Sequence, residues 1–242
     1  PPFSLLSWNI LAQKLYESQY KRRRITEVAL HSSEQSLNTL SGSPHPHPWP
    51  KRLNRIVEIL RHANSDIICL QECERDSFVQ LASIMSDCGY DAITQEDDRP
   101  ANAKPVGVRN VSRHTKNRNH LVATFWKRDK FEPISDASIR TRSMTTVLRL
   151  KGENESTSPT LAVVNVHLEG NPNKSQERTH QLQHAMSDLA RVVQDDQSGI
   201  GKLNALVLTG DFNCELQSSA SSLYMEMGRL GKQSGLGGVH GE

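Results

Sequence analysis

The order of predicted elements indicates an α/β fold in which helices cover a sheet layered on a second sheet. Short apolar runs of strand length alternate with segments of helical period as β-α-β-α-β, and several strands and a final α-β-α follow. The chain has 242 residues, 36% of them hydrophobic, which suffices for one large domain with a sizeable core. We therefore treat residues 1–242 as a single domain.

The first half of the chain predicts four strands and two helices. Apolar residues at i, i+3, i+4 and i+7 mark a helix across Leu53–Leu60, and a second apolar stripe marks another across Phe78–Met85. The strands are predicted at residues 3–11, 66–71, 90–94 and 120–126.

The second half predicts three strands and two helices. Residues 145–150 and 161–168 are predicted as consecutive strands, and residues 203–209 as a buried strand. An amphipathic helix runs through Leu182 to Val193, and a last helix is expected from Ser218.

Two polar segments interrupt this pattern. Residues 17–50 hold the cluster Lys21–Arg24 and end in a Pro- and His-rich run, which predicts a surface insertion with one helix. Residues 99–120 form a basic loop inside an acid-free stretch, Arg99–Arg128, that contains eight Lys and Arg residues. Such a stretch is typical either of a site for a polyanionic partner or of a solvated loop beside a strand.

Composition excludes some classes of protein. No run of about 18 apolar residues occurs, which excludes a membrane-spanning helix and a membrane partner. The four cysteines form no CxxC pair and have no His at zinc spacing, and Cys69 and Cys73 are predicted to be small buried thiols. A reducing compartment, cytoplasmic or nuclear, is therefore expected. The chain begins with Pro1 rather than Met, so we expect that a natural N-terminus, with any targeting segment, lies upstream.

Five polar residues stand at the ends of apolar strands, where sheets with helical connections usually place their chemistry. They are Asn9, Glu72, His167, Asp211 and Asn213. Hard oxygen ligands suit Mg²⁺, which completes its shell with water and substrate phosphate, and Asp211 is a candidate to orient and deprotonate a water. Each residue alone is more often a turn residue, a solvated carboxylate or a satisfied histidine, but the set together predicts a phosphoesterase site.

Four ordered motifs carry a resemblance to a known family. SWNILAQ at Ser7–Gln13, LQE at Leu70–Glu72, NVHL at Asn165–Leu168 and TGDFN at Thr209–Asn213 resemble the motifs of the endonuclease/exonuclease/phosphatase superfamily, the DNase I-like fold. Within it, the chain is similar to the Angel and Ccr4-type deadenylase branch. The branch features are SWNILAQ, Trp49 and Arg52, DIICLQE, ATFWKRDKF and NPN…R…Q after the histidine.

The resemblance implies a two-layer β-sandwich flanked by helices and a role for each strand-end residue. Glu72 would be the principal Mg²⁺ ligand, with Asn9 beside it and Mn²⁺ as a substitute ion. Asp211 would activate water, His167 and Asn213 would hold the scissile phosphate, and attack would be in line. The residues predicted to bind substrate are Asn171 and His120, together with four residues of the acid-free stretch that would contact the phosphate backbone: Arg109, Arg113, Lys116 and Arg118.

Two departures from the family pattern stand out. Many members of the branch have an Asp-Gly pair before the strand that matches ATFWK, and this chain has His120-Leu121 there. The superfamily's final Ser-Asp-His motif has no match, because His240, 29 residues after Asp211, follows Val rather than Asp. We therefore expect a C-terminally incomplete domain, and little or no turnover from the 242-residue chain by itself.

The function predicted from sequence is a Mg²⁺-dependent hydrolase of RNA or nucleotides, foremost a 3′-exoribonuclease that resembles a poly(A) deadenylase. One alternative is a phosphatase or 2′-phosphodiesterase that acts on a nucleotide or a terminal RNA phosphate. A second alternative, of another class, is a catalytically inactive RNA-binding module. Protein partners and the true substrate stay open.

Overall fold

A computed structural model describes residues 3–30, 46–95, 120–152, 158–194 and 203–214. Within these ranges the chain forms nine strands and four helices. In chain order they are β1 (Leu5–Asn9), α1 (Gln13–Leu30), α2 (Trp49–Ala63), β2 (Ile67–Cys73), α3 (Arg75–Asp87), β3 (Tyr90–Thr94), β4 (Leu121–Lys127), β5 (Phe131–Pro133), β6 (Ser138–Ile139), β7 (Ser143–Leu150), β8 (Thr160–His167), α4 (Ser175–Gln194) and β9 (Ala205–Asp211).

The strands form two sheets. Sheet I has the order β1-β2-β4-β3, and sheet II has the order β5-β7-β8-β9, with β6 also paired to β7. Each sheet contains one parallel pair, β1 with β2 in sheet I and β8 with β9 in sheet II. Helical segments connect the strands of both parallel pairs, as parallel neighbours require. The two strands of each parallel pair have their carboxyl ends at the same edge of their sheet, and the candidate site lies there.

Side-chain alternation along the central strands separates the layers. On β2, Ile67 and Cys69 face sheet II, while Ile68 and Leu70 face the helices. On β8, Leu161 and Val163 face sheet I, while Ala162, Val164 and Val166 face α4. Because the strand period is two, one hydrophobic run supplies both the sandwich interior and the surface under the helices.

The helices cover the outer faces of the sandwich. Leu53, Ile56, Val57 and Leu60 of α2 pack with α3 on sheet I. The apolar stripe of α4 packs on sheet II through Leu182, Ala185, Met186 and Leu189. The predicted two-layer β-sandwich flanked by helices is confirmed.

Some elements differ from the sequence prediction. The helix expected within residues 17–50 is α1, which begins earlier, at Gln13. The short strands β5 and β6 have too few residues to show a period, and they were not predicted. The strand expected at 203–209 is β9, and it is half-buried rather than buried, because it ends sheet II in the described chain and pairs there only with β8. The helix expected from Ser218 lies outside the described residues.

The described helices include none that is both long enough and apolar enough to cross a membrane. All four cysteines are free thiols. Burial raises the pKa of Cys69 to about 12, and burial together with the Glu72 charge raises that of Cys73 to about 12. Both thiols are therefore protonated at neutral pH, as expected of structural rather than metal-binding cysteines.

Candidate functional site

The site lies where the parallel strands of both sheets end. In sheet II, His167 and Asp211 are directly opposite each other at the ends of β8 and β9. In sheet I, Asn9 at the end of β1 lies opposite Gln71, one residue before Glu72. Since the two sheets are stacked, these ends meet, and the residues predicted from strand-end positions come together.

Asn9 joins the two carboxylates of the site. Its Nδ2 donates to Glu72 Oε1 at 2.9 Å and to Asp211 Oδ2 at 2.8 Å. Its Oδ1 accepts the backbone N–H of Leu11 at 2.9 Å. Asn9 was predicted to lie beside the metal as a second ligand. In this structure the amide oxygen accepts the Leu11 N–H and the amide nitrogen donates to Glu72 and Asp211, and a metal-ligand role for Asn9 stays a prediction.

A bulge in β2 directs Glu72 into the site. Leu70 pairs with Ala123 and Cys73 pairs with Leu121, so Gln71 and Glu72 together lie opposite the single residue Val122. Glu72 takes a left-handed backbone conformation with φ 58°. A bulge of this kind changes the direction of a side chain and often occurs beside active sites. Glu72 is 8% exposed, and its carboxylate accepts the Ala12 backbone N–H at 3.0 Å.

His167 completes the group. Its Nε2 lies 3.8 Å from Glu72 Oε1 and 4.0 Å from Asp211 Oδ2. Burial lowers the pKa of His167, the two carboxylates oppose that effect, and the charges of Arg142 and His120 add to it. His167 is therefore neutral at neutral pH. His120, which was predicted to bind substrate, lies close enough for its charge to lower the pKa of His167.

These side chains fit a divalent cation. Glu72, His167 and Asp211 each offer one ligand atom, and the three atoms lie within 4.8 Å of one another. Two carboxylates and one imidazole are a donor set that suits Mg²⁺ or Mn²⁺ better than a soft metal. They are the one such group of His, Cys, Asp and Glu side chains in the part of the chain that the structure describes.

Asn213 lies beside Asp211 and the loop that follows β8. Its backbone N–H donates to Asp211 Oδ1 at 2.9 Å, and its Nδ2 donates to the carbonyl of Leu168 at 2.9 Å. A Cβ placed on Gly170 would lie 3.8 Å from the Asn213 side chain, so the loop of residues 168–172 packs against it. The predicted substrate residue Asn171 is exposed on this loop.

A pair of buried polar side chains lies between the two sheets, next to the site. Gln71 Nε2 donates to Asn165 Oδ1 at 2.9 Å across the sandwich. Asn165 Nδ2 donates in turn to the carbonyls of Leu70 and Ala123 at 3.2 and 3.0 Å. Both residues occur in the motifs quoted above, but no role was predicted for them. Their position in the sequence could have indicated a role, because each amide follows a row of apolar residues that face the other sheet.

The basic stretch is only partly within the structure. Arg109, Arg113, Lys116 and Arg118 lie outside the described residues. The last two basic residues of the stretch, Lys127 and Arg128, do not lie at the candidate site. β4 runs antiparallel to β2, so these two lie at the far end of sheet I, where Lys127 pairs with Asp66 and Arg128 with Asp91.

Sequence reasoning assigned no role to three arginines near the site. Arg142 Nη2 lies 3.2 Å from Glu169 Oε2, and the carbonyl of Arg142 accepts the His167 N–H at 2.8 Å. Arg52 and Arg178 each bind backbone carbonyls of a loop at the site. Arg178 had a readable signal, because it continues the helical spacing of Leu182, Leu189 and the rest of the buried stripe of α4.

Comparisons with known proteins agree with this architecture. The bovine protein "Protein angel homolog 2" is 27% identical over 248 residues, covering 99% of this chain and 40% of that protein. The human protein of the same name is 25% identical over 215 residues, which cover 87% of this chain and 34% of the human protein. The chain thus spans about 40% of the length of the curated relatives it matches.

Solved structures share the fold. The structure titled "Crystal structure of ANGEL2, a 2',3'-cyclic phosphatase" superposes with a TM-score of 0.61 at 21% identity, covering 94% of this chain and 56% of that one. The human Nocturnin catalytic domain with bound sulfate gives a TM-score of 0.59 at 19% identity, covering 98% and 72%.

A family-level match is decisive. The model of the "Endonuclease/Exonuclease/phosphatase family" matches residues 6–238. That span includes every residue of the site described above. This chain belongs to the endonuclease/exonuclease/phosphatase family.

Proposed function

We propose that the protein is a divalent-metal-dependent phosphoesterase acting on RNA or nucleotides. The observation that carries this proposal is the convergence of Glu72, His167 and Asp211 within 4.8 Å at the ends of three strands. Two carboxylates held this close by one amide favour a bound cation, which offsets their mutual repulsion.

Each residue has a chemical role in this proposal. Glu72, with Asp211 beside it, would hold Mg²⁺ or Mn²⁺, and the ion would stabilise charge on the phosphate and the leaving oxygen. Asp211 orients and deprotonates the attacking water. Neutral His167 and the Asn213 amide donate hydrogen bonds to phosphate oxygens, where negative charge increases in the transition state. Asn9 orients the two carboxylates.

The substrate class is a phosphate ester at the 3′ end of RNA or of a nucleotide. The branch motifs favour a 3′-exoribonuclease that resembles a deadenylase. The second candidate is hydrolysis of a terminal cyclic phosphate, favoured by the fold shared with ANGEL2. Its structure with adenosine-2',3'-vanadate superposes with a TM-score of 0.62 at 20% identity, covering 98% of this chain and 62% of that one.

Product analysis separates the candidates. The longest natural form of the protein is incubated with Mg²⁺ and 3′-labelled poly(A), 2′-5′ linked oligonucleotides, cyclic-phosphate RNA or NADPH. Release of AMP from poly(A) supports the exonuclease, and opening of the cyclic phosphate supports the phosphatase. Asp211→Asn is the control for contaminating nuclease. No turnover of any substrate, with RNA binding retained, would instead identify an RNA-binding module.

Metal binding tests the site without turnover. Glu72→Gln removes one ligand charge and should weaken Mn²⁺ binding to the 242-residue chain at least roughly ten-fold. Titration followed by electron paramagnetic resonance measures the free ion. Glu58→Gln, on the exposed face of α2, is the matched control and should bind like the wild type. Equal affinities for the two variants would remove Glu72 from the proposed site.

A further inference from the structure

We propose that Arg52 and Arg178 are positioning residues that separately set the two halves of the site. Arg52 binds the loop that contacts Asn9 and Glu72, which we call the metal side of the site. Arg178 binds the loop that contacts Asn213, which we call the phosphate side. The inference rests on the proposed function, since the two halves are defined by what each would bind. It assigns roles to two helix-borne guanidinium groups that contact no substrate themselves.

Arg52 binds the loop between β1 and α1. Its Nη2 donates to the carbonyls of Ile10 and Leu11 at 2.6 and 2.8 Å, and its Nη1 donates to Gln13 Oε1 at 2.8 Å. The guanidinium also lies over the Tyr16 ring, 4.3 Å from its centre. One side chain of α2 therefore contacts residues at both ends of this loop.

The loop bound by Arg52 contacts the metal side directly. Leu11 has φ 56°, a conformation that a non-glycine residue takes only when its surroundings hold it there. Its N–H fixes the Asn9 amide, and the next N–H, of Ala12, donates to Glu72 Oε2. Releasing the two carbonyls would let Leu11 return to a negative φ, and both donors would then leave Asn9 and Glu72.

Arg178 binds the loop of residues 168–172 in the same way. The residue is 3% exposed. Its Nη1 donates to the carbonyls of Glu169 and Asn171 at 3.2 and 2.7 Å, and its Nη2 donates to the carbonyl of Pro172 at 3.2 Å. A charge buried on the apolar face of a helix is costly unless it is fully hydrogen-bonded, and here loop carbonyls supply those bonds.

This second loop contacts the phosphate side and not Glu72. Leu168 accepts the Asn213 side-chain amide, and Gly170 packs against the same side chain. Glu169 is further held by Gln181, which accepts its N–H at 2.9 Å, and by Arg142. Moving this loop would displace Asn213 and Asn171, whereas the hydrogen bonds that Glu72 accepts come from Asn9 and Ala12, which lie in β1 and in the other loop.

The test uses lysine variants because lysine keeps the charge but has no fork of donors to span several carbonyls. The matched controls are Arg55→Lys on α2 and Arg191→Lys on α4, whose side chains are 68% and 63% exposed. Two affinities are measured on the 242-residue chain: that for Mn²⁺ alone, and that for adenosine 3′-monophosphate at saturating Mn²⁺. Thermal midpoints are recorded for every variant.

The expected result is a crossed pattern. Arg52→Lys should weaken Mn²⁺ binding about ten-fold and leave the nucleotide affinity at saturating Mn²⁺ unchanged. Arg178→Lys should weaken nucleotide binding about ten-fold and leave Mn²⁺ binding unchanged. A purely structural role would lower both affinities together, in step with the thermal midpoint, and that result would overturn the inference.

The remaining outcomes are also decisive. Wild-type affinities in both lysine variants would overturn the positioning roles and leave the proposed function standing. A wild-type chain that binds Mn²⁺ no better than Glu72→Gln would overturn the proposed function together with this inference. Should a lysine variant not fold, Gln13→Leu removes the Arg52 contact of one loop and Gln181→Leu removes the Glu169 contact of the other, and both should show the same crossed pattern in weaker form.

Discussion

Left-handed backbone conformations are concentrated at the site. Of the described non-glycine residues, four have positive φ, and three of these are Leu11, Glu72 and Asn213. For residues such as Leu and Glu this conformation costs about 1–2 kcal/mol each. Hydrogen bonds to Asn9, Ala12 and Asp211 hold the conformations in place. The conformational cost of these residues therefore falls on the site, and these hydrogen bonds offset it.

Gly210, immediately before Asp211, cannot carry a side chain. It has φ 133°, and a Cβ there would lie 2.0 Å from the carbonyl oxygen of Val166. Gly210→Ala should therefore force β9 away from β8, lower the free energy of unfolding by roughly 2–4 kcal/mol and displace Asp211.

Urea unfolding followed by circular dichroism measures this change. Gly89→Ala provides a comparison, because Gly89 also has positive φ, 88°, but has no atom within 4 Å of its added Cβ. It should cost only the conformational strain, about 1–2 kcal/mol. Equal losses for the two variants would show that the contact with Val166 adds nothing.

At the scale of elements, each sheet contributes one parallel pair whose two strands end at the site. Asn9 and Asp211 are 202 residues apart in sequence, yet their side chains are hydrogen-bonded. The link between Gln71 and Asn165 fixes how the two sheets stack near this edge. A small rotation of one sheet would separate Glu72 from His167.

Asn165→Leu should test that link. The change keeps a similar volume but removes three hydrogen bonds from a fully buried residue, so the free energy of unfolding should fall by about 1–3 kcal/mol. Mn²⁺ affinity should fall as well. The control is Thr146→Val, because Thr146 Oγ1 is buried without a hydrogen-bond partner among the described residues. That variant should be neutral or stabilising, and a loss as large as that of Asn165→Leu would contradict the argument.

The opposite end of sheet I is held by Asp66. Burial alone would raise its pKa, but hydrogen bonds from Lys130, Ser4 and Lys127 outweigh burial and hold the pKa well below its usual range. A lowered pKa in the folded state means that the contribution to stability is present above the unfolded pKa of about 3.9 and is lost as pH falls below it.

Asp66→Asn should therefore lower the free energy of unfolding by about 1–3 kcal/mol at pH 7. The difference from the wild type should shrink as pH falls below about 4, because the carboxylate is then protonated in the unfolded wild type while it still carries its charge in the folded one. Urea unfolding across pH measures both. Asp91→Asn, which breaks the exposed pair with Arg128, should cost less than about 1 kcal/mol. A difference that does not depend on pH would contradict the assignment to Asp66.

At the scale of the whole molecule, charge is distributed unevenly along a chain whose net charge is only +2. The carboxylates that would hold a metal lie at the strand ends, and most of the acid-free stretch comes before β4 in sequence. Because β4 begins beside the bulge of β2, His120, the described residue just before it, lies near the site. We therefore propose that Arg109, Arg113, Lys116 and Arg118 contact the phosphates of bound RNA.

Replacing these four residues by Ala should weaken RNA binding about equally for all sequences. Each lost contact should also flatten the log–log salt dependence by roughly 0.7. Fluorescence anisotropy across a salt series measures affinity and slope. Arg128→Ala, from the far end of β4, should change neither. An unchanged slope in the quadruple variant would assign the stretch to a solvated loop.

The sequence by itself determined the long strands, the helices α2 to α4 and the strand-end positions of the candidate site residues. Periods of 2 and 3.6 come from the local geometry of the chain, so α2, α3, α4 and the long strands could be predicted without tertiary information. Polar residues at strand ends likewise identified Glu72, His167 and Asp211, because parallel strands bring their carboxyl ends to one edge.

Tertiary structure alone decided how these side chains are arranged. The orientation of Asn9 toward both carboxylates, the bulge at Glu72 and the loop contacts of Arg52 and Arg178 each depend on groups that are distant in sequence. Asn9 and Glu72, for example, are 63 residues apart. The short strands β5 and β6 exist because β7 pairs with them, and not because of any period of their own. Hydrogen bonds between distant segments depend on how the sheets stack, and no local pattern in the sequence encodes that.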